Sequence, residues 1–495
     1  MMLTPLITAA QGFPALERLA AMAKDELILS FRILDPETRL REQALTERGL
    51  ETWADLIAFL SRRGVKIRML LADFDPLFTS DLHRKAWASA SGFADVVQGD
   101  AQILCAPHGQ RAGAVWKTLM RGKVASAMSQ LRQEEPTRLT PVQREVLVKG
   151  PVLRPATIHQ KFAIADGKAC IIGGLDVDER RYDTAEHDRP PEDTWHDISV
   201  QVQDDDFAGA LRGHFAECWN AALDCGVTSL AQRADRFDTS IRSQSRSDLR
   251  LVRTFSAPCP GAMRLAPNPS VTDHEKTLIR LFSEAKDFVY IETQFLRHAP
   301  LVDALCAAAA SAPKLQLVAI MPAAPERVMF DGDHGWDARH AHGLQIKALD
   351  RLRASFEGRI ALLTPAQPRP APEGAPKMHG AGPVYLHSKL TLVDGLHCMI
   401  GSANLNGRSM RWDSEASVLI RNAEFASDLM TMLAGYWLGD KAKDHPLTSA
   451  RTWSAVAESD AKRAPDDRRS YLLPFPLKTG RKFSRFLPLL PDDMF

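Results

Sequence analysis

Apolar residues recur along this chain with two periods, and the switch between them predicts its elements. Short runs rich in Val, Ile and Leu, namely ELILSFRIL (26–34), VKIRMLLA (65–72), DFVYIETQF (287–295) and KLQLVAIM (314–321), predict buried strands. Between them, LETWADLIAFLSRR and LVDALCAAAASA carry their apolar positions at helical spacing. Two strand–helix pairs come later: DISVQVQ (197–203) before FAGALRGHFAECWNAAL, and EASVLIR (415–421) before FASDLMTMLAGYWL. Strands alternating with helices predict an α/β protein whose sheets are parallel or mixed and covered by helices.

This order occurs twice, and residues repeat with it. HQKFAIADGKACIIGG begins at His159 and HSKLTLVDGLHCMIGS at His387, 228 residues later. Without gaps, the two share His, Lys, Asp-Gly, Cys and Ile-Gly. A period that long exceeds any solenoid repeat, so it marks a duplicated half. The polar stretch QRADRFDTSIRSQSRSD (232–248) predicts the seam. The expected organisation is one half over 1–240, a second over 241–445 and a tail over 446–495. The halves should be related by a pseudo-twofold axis, each a mixed β-sheet flanked by helices. Strand alternation places His159, Lys161 and Ala163 on one face, with Asp166-Gly167 as a tight turn before an apolar return strand. His387, Lys389 and Asp394-Gly395 repeat the pattern. An imidazole beside an ammonium on a rigid hairpin suits a phosphate.

Charge narrows the partners. The 495 residues hold 62 Lys+Arg against 61 Asp+Glu, a formal net charge of +1, so any basic surface is local and a nucleic-acid partner is not expected. Hydrophobic residues at 45% and charged residues at 25% fit a globular chain and exclude disordered or fibrous classes. Cys105, Cys170, Cys218, Cys225, Cys259, Cys306 and Cys398 are scattered with no CxxC pair, which predicts mostly buried thiols rather than disulfides or structural zinc. No Lys or Arg precedes the first apolar stretch, and no run of 18 apolar residues occurs. A cytoplasmic or peripheral-membrane protein is expected, with export by a route lacking a cleaved signal left open.

The doubled HxKxxxxD with a trailing GG or GSxN resembles the HKD motif of the phospholipase D superfamily. IIGGLDVDERRYDTAEH (171–187) is similar to the GGLDxxxxRYDTxEH stretch of its phosphatidylcholine-cleaving, eukaryotic-type branch. TWHDISVQV with FAECWN, LRLVRTFS (249–256) and YIETQFL (290–296) resemble other blocks of that branch. The likeness runs in patches from about residue 149 to 440.

The resemblance implies one active site between the halves. His159 would attack phosphorus to form a covalent phosphohistidine, and His387 would protonate the leaving alkoxide and then activate water. Lys161 and Lys389 would stabilise the phosphate oxygens. Asn404, its first-half counterpart Asp176, Gly174 and Ser402 would surround the substrate. Asp197 and Glu415 stand where the family carries the carboxylates that orient each His. Asp166 and Asp394 belong to the catalytic motif by name, and their place in an Asp-Gly turn reads as structural. The implied activity is hydrolysis of glycerophospholipids to phosphatidate and head-group alcohol, with transphosphatidylation as an extension and no cofactor. Its partner would be phospholipid at a membrane surface, met by a peripheral monomer.

Rival readings are a phosphatidyltransferase of the cardiolipin-synthase kind, an HKD endonuclease and a non-catalytic phosphate-binding scaffold. Intact His and Lys in both motifs argue against the scaffold. DGDHGWDARHAHG (331–343), with His334, His340 and His342, could be a metal site, but its spacing fits no zinc pattern and a polar loop at the cleft mouth is expected. The last segment, RRSYLLPFPLKTGRKFSRFLPLLPDDMF, could anchor at a lipid interface or dock on its own domain, and docking is the preferred expectation. Some of the many arginines are expected to line the cleft.

Overall fold

A computed structural model describes residues 2–239, 247–257, 267–444, 446–486 and 491–495. Cys259, part of the expected seam and part of the last segment lie outside the described residues.

The strands are β1 (Met2–Ile7), β2 (Glu26–Phe31), β3 (Lys66–Ala72), β4 (Ala101–Ala106), β5 (Phe162–Ala165), β6 (Ala169–Gly173), β7 (Ile198–Gln203), β8 (Leu249–Ala257) and β9 (Asn268–Thr272). They continue with β10 (Phe288–Glu292), β11 (Gln316–Ile320), β12 (Ile360–Pro370), β13 (Ala381–Pro383), β14 (Leu390–Val393), β15 (His397–Gly401), β16 (Glu415–Arg421) and β17 (Leu472–Pro474). One sheet runs β1-β7-β6-β5-β2-β3-β4, the other β13-β12-β11-β10-β14-β15-β16-β8-β9, with β17 paired to β12. Both are mixed. In the first, β2, β3 and β4 are parallel while β5, β6 and β7 run antiparallel. The second repeats this with β10, β11 and β12 and then β14, β15 and β16.

Period-two alternation divides each strand between two cores. Ile28, Phe162, Ile164 and Ile172 join Tyr290, Leu390, Leu392 and Ile400 in one cluster shared by the sheets. Leu27, Leu29 and Phe31 turn the other way, under helices Ala9–Met22, Trp53–Arg62 and Ser80–Val96. Val289 and Ile291 do likewise under Asp273–Glu284, Ala299–Ser311 and Trp336–Phe356. Helices Asp205–Asp224 and Ala423–Leu438 send Trp219 and Trp437 into the shared cluster. The α/β class and the two helix-flanked mixed sheets are therefore as the sequence predicted.

Two details differ from expectation. His159 and Lys161 precede β5 rather than lying on it. The segment 331–343 is no loop beyond Gly335: a helix begins at Trp336 and buries His340 and His342, whose rings meet Phe495 and Phe483. The described residues of 446–495 pack on the rest of the chain. They supply β17, a helix Ala450–Ala461 whose Trp453 packs on Tyr290, and Phe495, whose carbonyl accepts from Gly407 N–H. The described cysteines are free thiols, four of them buried. No helix among the described residues is long and apolar enough to cross a membrane.

Both motif aspartates are turn residues. Asp166 and Gly167 take φ of 52° and 64°, and Asp394 and Gly395 take 51° and 61°, the pairing of a tight hairpin turn. Each carboxylate then accepts three backbone N–H groups at the start of a neighbouring strand: Lys24, Asp25 and Glu26 for Asp166, and Lys286, Asp287 and Phe288 for Asp394. For Asp166, burial pushes the carboxyl up, but the three donors outweigh it and hold it below its ordinary range. That contribution is present at neutral pH and fades as the pH falls below about 4. Asp166→Ala and Asp394→Ala are each expected to lower stability by about 1–3 kcal/mol. Urea unfolding at neutral pH measures this, and unchanged midpoints would refute the role.

Candidate active site

The site is built where four chain segments meet at the carboxyl ends of the parallel strands, the usual place for a ligand in an open α/β sheet. Ile158 bridges Ser414, and His159 N–H donates to Ser414 O at 3.0 Å. The mirror arrangement pairs His196 with Leu386, and His387 N–H donates to His196 O at 2.8 Å. Each histidine is thus laid beside the segment that carries the other half's acid.

The side chains complete the exchange. His159 Nδ1 lies 2.9 Å from Glu415 Oε1, and His387 Nδ1 lies 2.7 Å from Asp197 Oδ2. A hydrogen on Nδ1 facing a carboxylate leaves the Nε2 lone pair of each neutral ring free. Glu415 also accepts from Ser402 Oγ at 2.5 Å and Ser409 Oγ at 2.7 Å, and Asp197 Oδ1 accepts from Ile198 N–H at 2.9 Å. Lys161 Nζ donates to His159 O at 2.7 Å and stands 3.9 Å from Asp176 Oδ2, while Lys389 donates to His387 O. Both lysines are almost wholly buried, at 1% and 4% exposure, and both histidines keep 6%.

Desolvation sets the protonation of the empty site. Burial pushes both imidazoles well below their ordinary range, and the nearby lysines push them the same way. Lys389 is pulled down to about 7, chiefly by burial against the opposing pull of Asp197, and burial lowers Lys161 too. Burial pushes Asp197 up, and it drives Glu415 to about 8 despite Lys161 and the two serine hydroxyls. Neutral imidazoles beside ammonium groups whose charge burial disfavours form a site that an incoming phosphate would stabilise.

The other expected residues divide. Asn404 sits in the site and donates to Gln294 Oε1 at 3.4 Å; Asp176 accepts Ile33 N–H at 2.8 Å. Gly174 acts by being small, since a Cβ there would stand 2.2 Å from Asp197 Oδ1. Ser402, its counterpart, spends its hydroxyl on Glu415. These two support carboxylates, where contact with substrate was expected. Asp166 and Asp394, grouped with the catalytic residues by motif name, are at the turn end of β5 and β14, about 16 Å along the strand from the lysines. Among the described residues no three His, Cys, Asp or Glu side chains gather as metal ligands, His334, His340 and His342 included.

Sequence reasoning missed several members. Trp195 stacks on His387 with ring centres 4.7 Å apart and carries Arg181 over its face at 4.8 Å. Its position in TWHD was a usable signal. Ser409 lay in an unremarked GRSMRWDSE, and nothing local points from it to Glu415. Behind His387, Ser388 Oγ donates to Glu292 Oε2 at 2.6 Å; Tyr290 and Trp437 donate to Oε1 of the same buried carboxylate.

Known proteins resemble this chain in sequence and fold. Residues 278–437 match the family described as cardiolipin synthase, PLD-like domain. Over 354 residues, 55% of the chain, it is 22% identical to phospholipase D1 of Saccharomyces cerevisiae, and the match spans 21% of that relative's length. The crystal structure of phosphatidylserine synthase from Haemophilus influenzae superposes with a TM-score of 0.51 at 12% identity, covering 85% of this chain and 82% of that one. Two matching halves, a shared interior site and these likenesses place the chain in the phospholipase D superfamily.

Proposed function

We propose that the protein cleaves glycerophospholipid phosphodiesters through a covalent phosphohistidine. The observation that carries this is the exchange of carboxylates between the two histidines, with a buried lysine beside each. His159 Nε2 attacks phosphorus as the bond to the head-group oxygen breaks, and that oxygen takes the Nε2 proton of His387. His387 then removes a proton from water, the water oxygen attacks phosphorus, and the P–N bond breaks to release phosphatidate. An alcohol in place of water gives a new phosphodiester by the same steps. The lysines bind the non-bridging oxygens, and the incoming negative charge restores the proton that burial disfavours on His387. Lipid at a bilayer would be met by the exposed Leu119 and Trp336, with Lys123 Nζ 5.0 Å from the Trp336 ring centre.

The match to the cardiolipin synthase family favours a second reading, in which phosphatidyl transfer outruns hydrolysis. Purified protein incubated with EDTA and phosphatidylcholine, phosphatidylglycerol or supercoiled DNA, with and without glycerol, separates the possibilities. Free choline and phosphatidate are expected; a diphosphatidyl product from phosphatidylglycerol would favour transfer. DNA nicking without lipid turnover would overturn both.

Removing each histidine tests its assigned part. With a phosphodiester bearing a nitrophenolate leaving group, which needs no proton, His387→Ala should still form the covalent adduct and lose turnover by about 10²–10⁴-fold. Mass spectrometry should find the phosphoryl group, still carrying its second ester substituent, on His159. An adduct formed by His159→Ala but not by His387→Ala would reverse the roles.

A pH effect follows from Lys389. Its ammonium is needed for phosphate binding and loses its proton at about pH 7 when no phosphate faces it. Hence kcat/KM should fall as pH rises through about 7, whereas kcat, measured with the anion already holding the proton in place, should persist to higher pH. Coincident alkaline limbs in the two profiles would contradict this.

A further inference from the structure

The halves correspond residue by residue around the site, and one position breaks the correspondence with a charge. Leu27 pairs with Ala165 as Val289 pairs with Val393, so Arg32, just past β2, corresponds to Gln294 beyond β10. The same alignment matches Asp176 with Asn404. In the second half the neutral side chain is fully engaged: Gln294 Nε2 donates to Tyr385 Oη at 2.7 Å and Oε1 accepts from Asn404 at 3.4 Å.

Arg32 has no such engagement. Its Nε is shielded from solvent without a hydrogen-bond partner, and no ion pair holds its guanidinium among the described residues. The group is positioned nonetheless, with its central carbon 5.2 Å from the Phe74 ring centre and its neighbour Ile33 tied to Asp176 by a 2.8 Å hydrogen bond. Asp176 in turn lies 3.9 Å from Lys161 Nζ. The arginines that share this neighbourhood are committed elsewhere, Arg181 to Asp178 and Arg408 to Asp413 at 3.0 Å. A half-buried guanidinium with a shielded, unpartnered Nε is partly desolvated at a cost that an arriving anion would offset.

We infer that Arg32 is a third cation of the phosphate site, directing its N–H fork at a non-bridging oxygen of the scissile phosphodiester on the side of His159. A guanidinium suits that task because its planar donors match two phosphate oxygens at once. The inference rests on the phosphodiesterase reading and adds a direction to it. Arg32 also pushes His159 toward the neutral form, as it does His387, and so favours an unprotonated nucleophile.

The test is calorimetric titration of the full chain with inorganic phosphate, comparing wild type with Arg32→Gln and Arg32→Lys. Arg32→Gln, which copies the second half's residue, should weaken phosphate binding by about 10- to 100-fold, with Arg32→Lys between it and wild type. The Gln variant should also melt no lower than wild type, because it discards a half-buried charge that no anion pairs; a purely structural Arg32 would give a lower melting temperature. Unchanged phosphate affinity in Arg32→Gln would overturn the inference while leaving the phosphodiesterase reading intact. A wild type that neither binds phosphate nor turns over lipid would overturn that reading itself. Should Arg32→Gln fail to fold, the affinity of Arg32→Lys decides: equal to wild type refutes a guanidinium-specific contact, and weaker supports it.

Discussion

Everything in this molecule depends on pairing buried imidazoles with carboxylates that their own halves do not supply. His159 can be held only if Glu415 is brought to it, and His387 only if Asp197 is. Losing one partner of such a buried hydrogen bond leaves the other unsatisfied, a cost of about 1–3 kcal/mol. Neither half can therefore assemble half a site. The requirement explains the shared hydrophobic cluster between the sheets, which fixes the separation at which the acids meet the rings. It explains the glycine at 174 as well, where any side chain would occupy the place of the Asp197 carboxylate.

Behind the site, a polar chain ties the halves a second time. His187 bonds Asp183 at 2.7 Å and Tyr436 Oη at 2.6 Å; Tyr436 reaches His196 at 3.1 Å, and His196 lies 3.4 Å from Glu292. Trp195 N–H donates to Asp183, so the residue stacked on His387 is held by this chain from the first half, while Glu292 holds Ser388 from the second. A buried network of this kind is rigid when each member is satisfied. It places the two supports of His387 under one constraint.

Local patterns in the sequence carried the parts of this arrangement that are themselves local. The His-x-Lys pairs, the Asp-Gly turns and the apolar strands are set by period two and turn chemistry within a few residues. Pairings between distant segments were a different matter. Asp197 and Glu415 were recognisable as orienting acids, but which ring each one serves is decided by the packing of one half on the other. Ser409 and Arg32 were invisible for the same reason, one hydroxyl and one guanidinium among many. The sequence at the start of the helix from Trp336 predicts a loop because its Gly, Asp and His residues are polar. The aromatic rings of Phe483 and Phe495, which bury its histidines, come from a segment more than a hundred residues later.

Duplication alone would give two equivalent histidines, told apart only by the side of an asymmetric substrate that each one faces. The departures from symmetry make the two rings differ before any substrate is bound. An aspartate with one backbone donor faces His387, and a glutamate with two hydroxyl donors faces His159. Trp195 stacks on the first of these rings. Asp176 and Arg32 stand where the other half has Asn404 and Gln294, replacing a neutral amide pair by a charged one beside Lys161. The substitutions nearly conserve charge, since one acid accompanies one base, but they separate it in space. That separation sets up a field across a site no larger than a phosphate, and a field is what a proton transfer from one side and an attack from the other require.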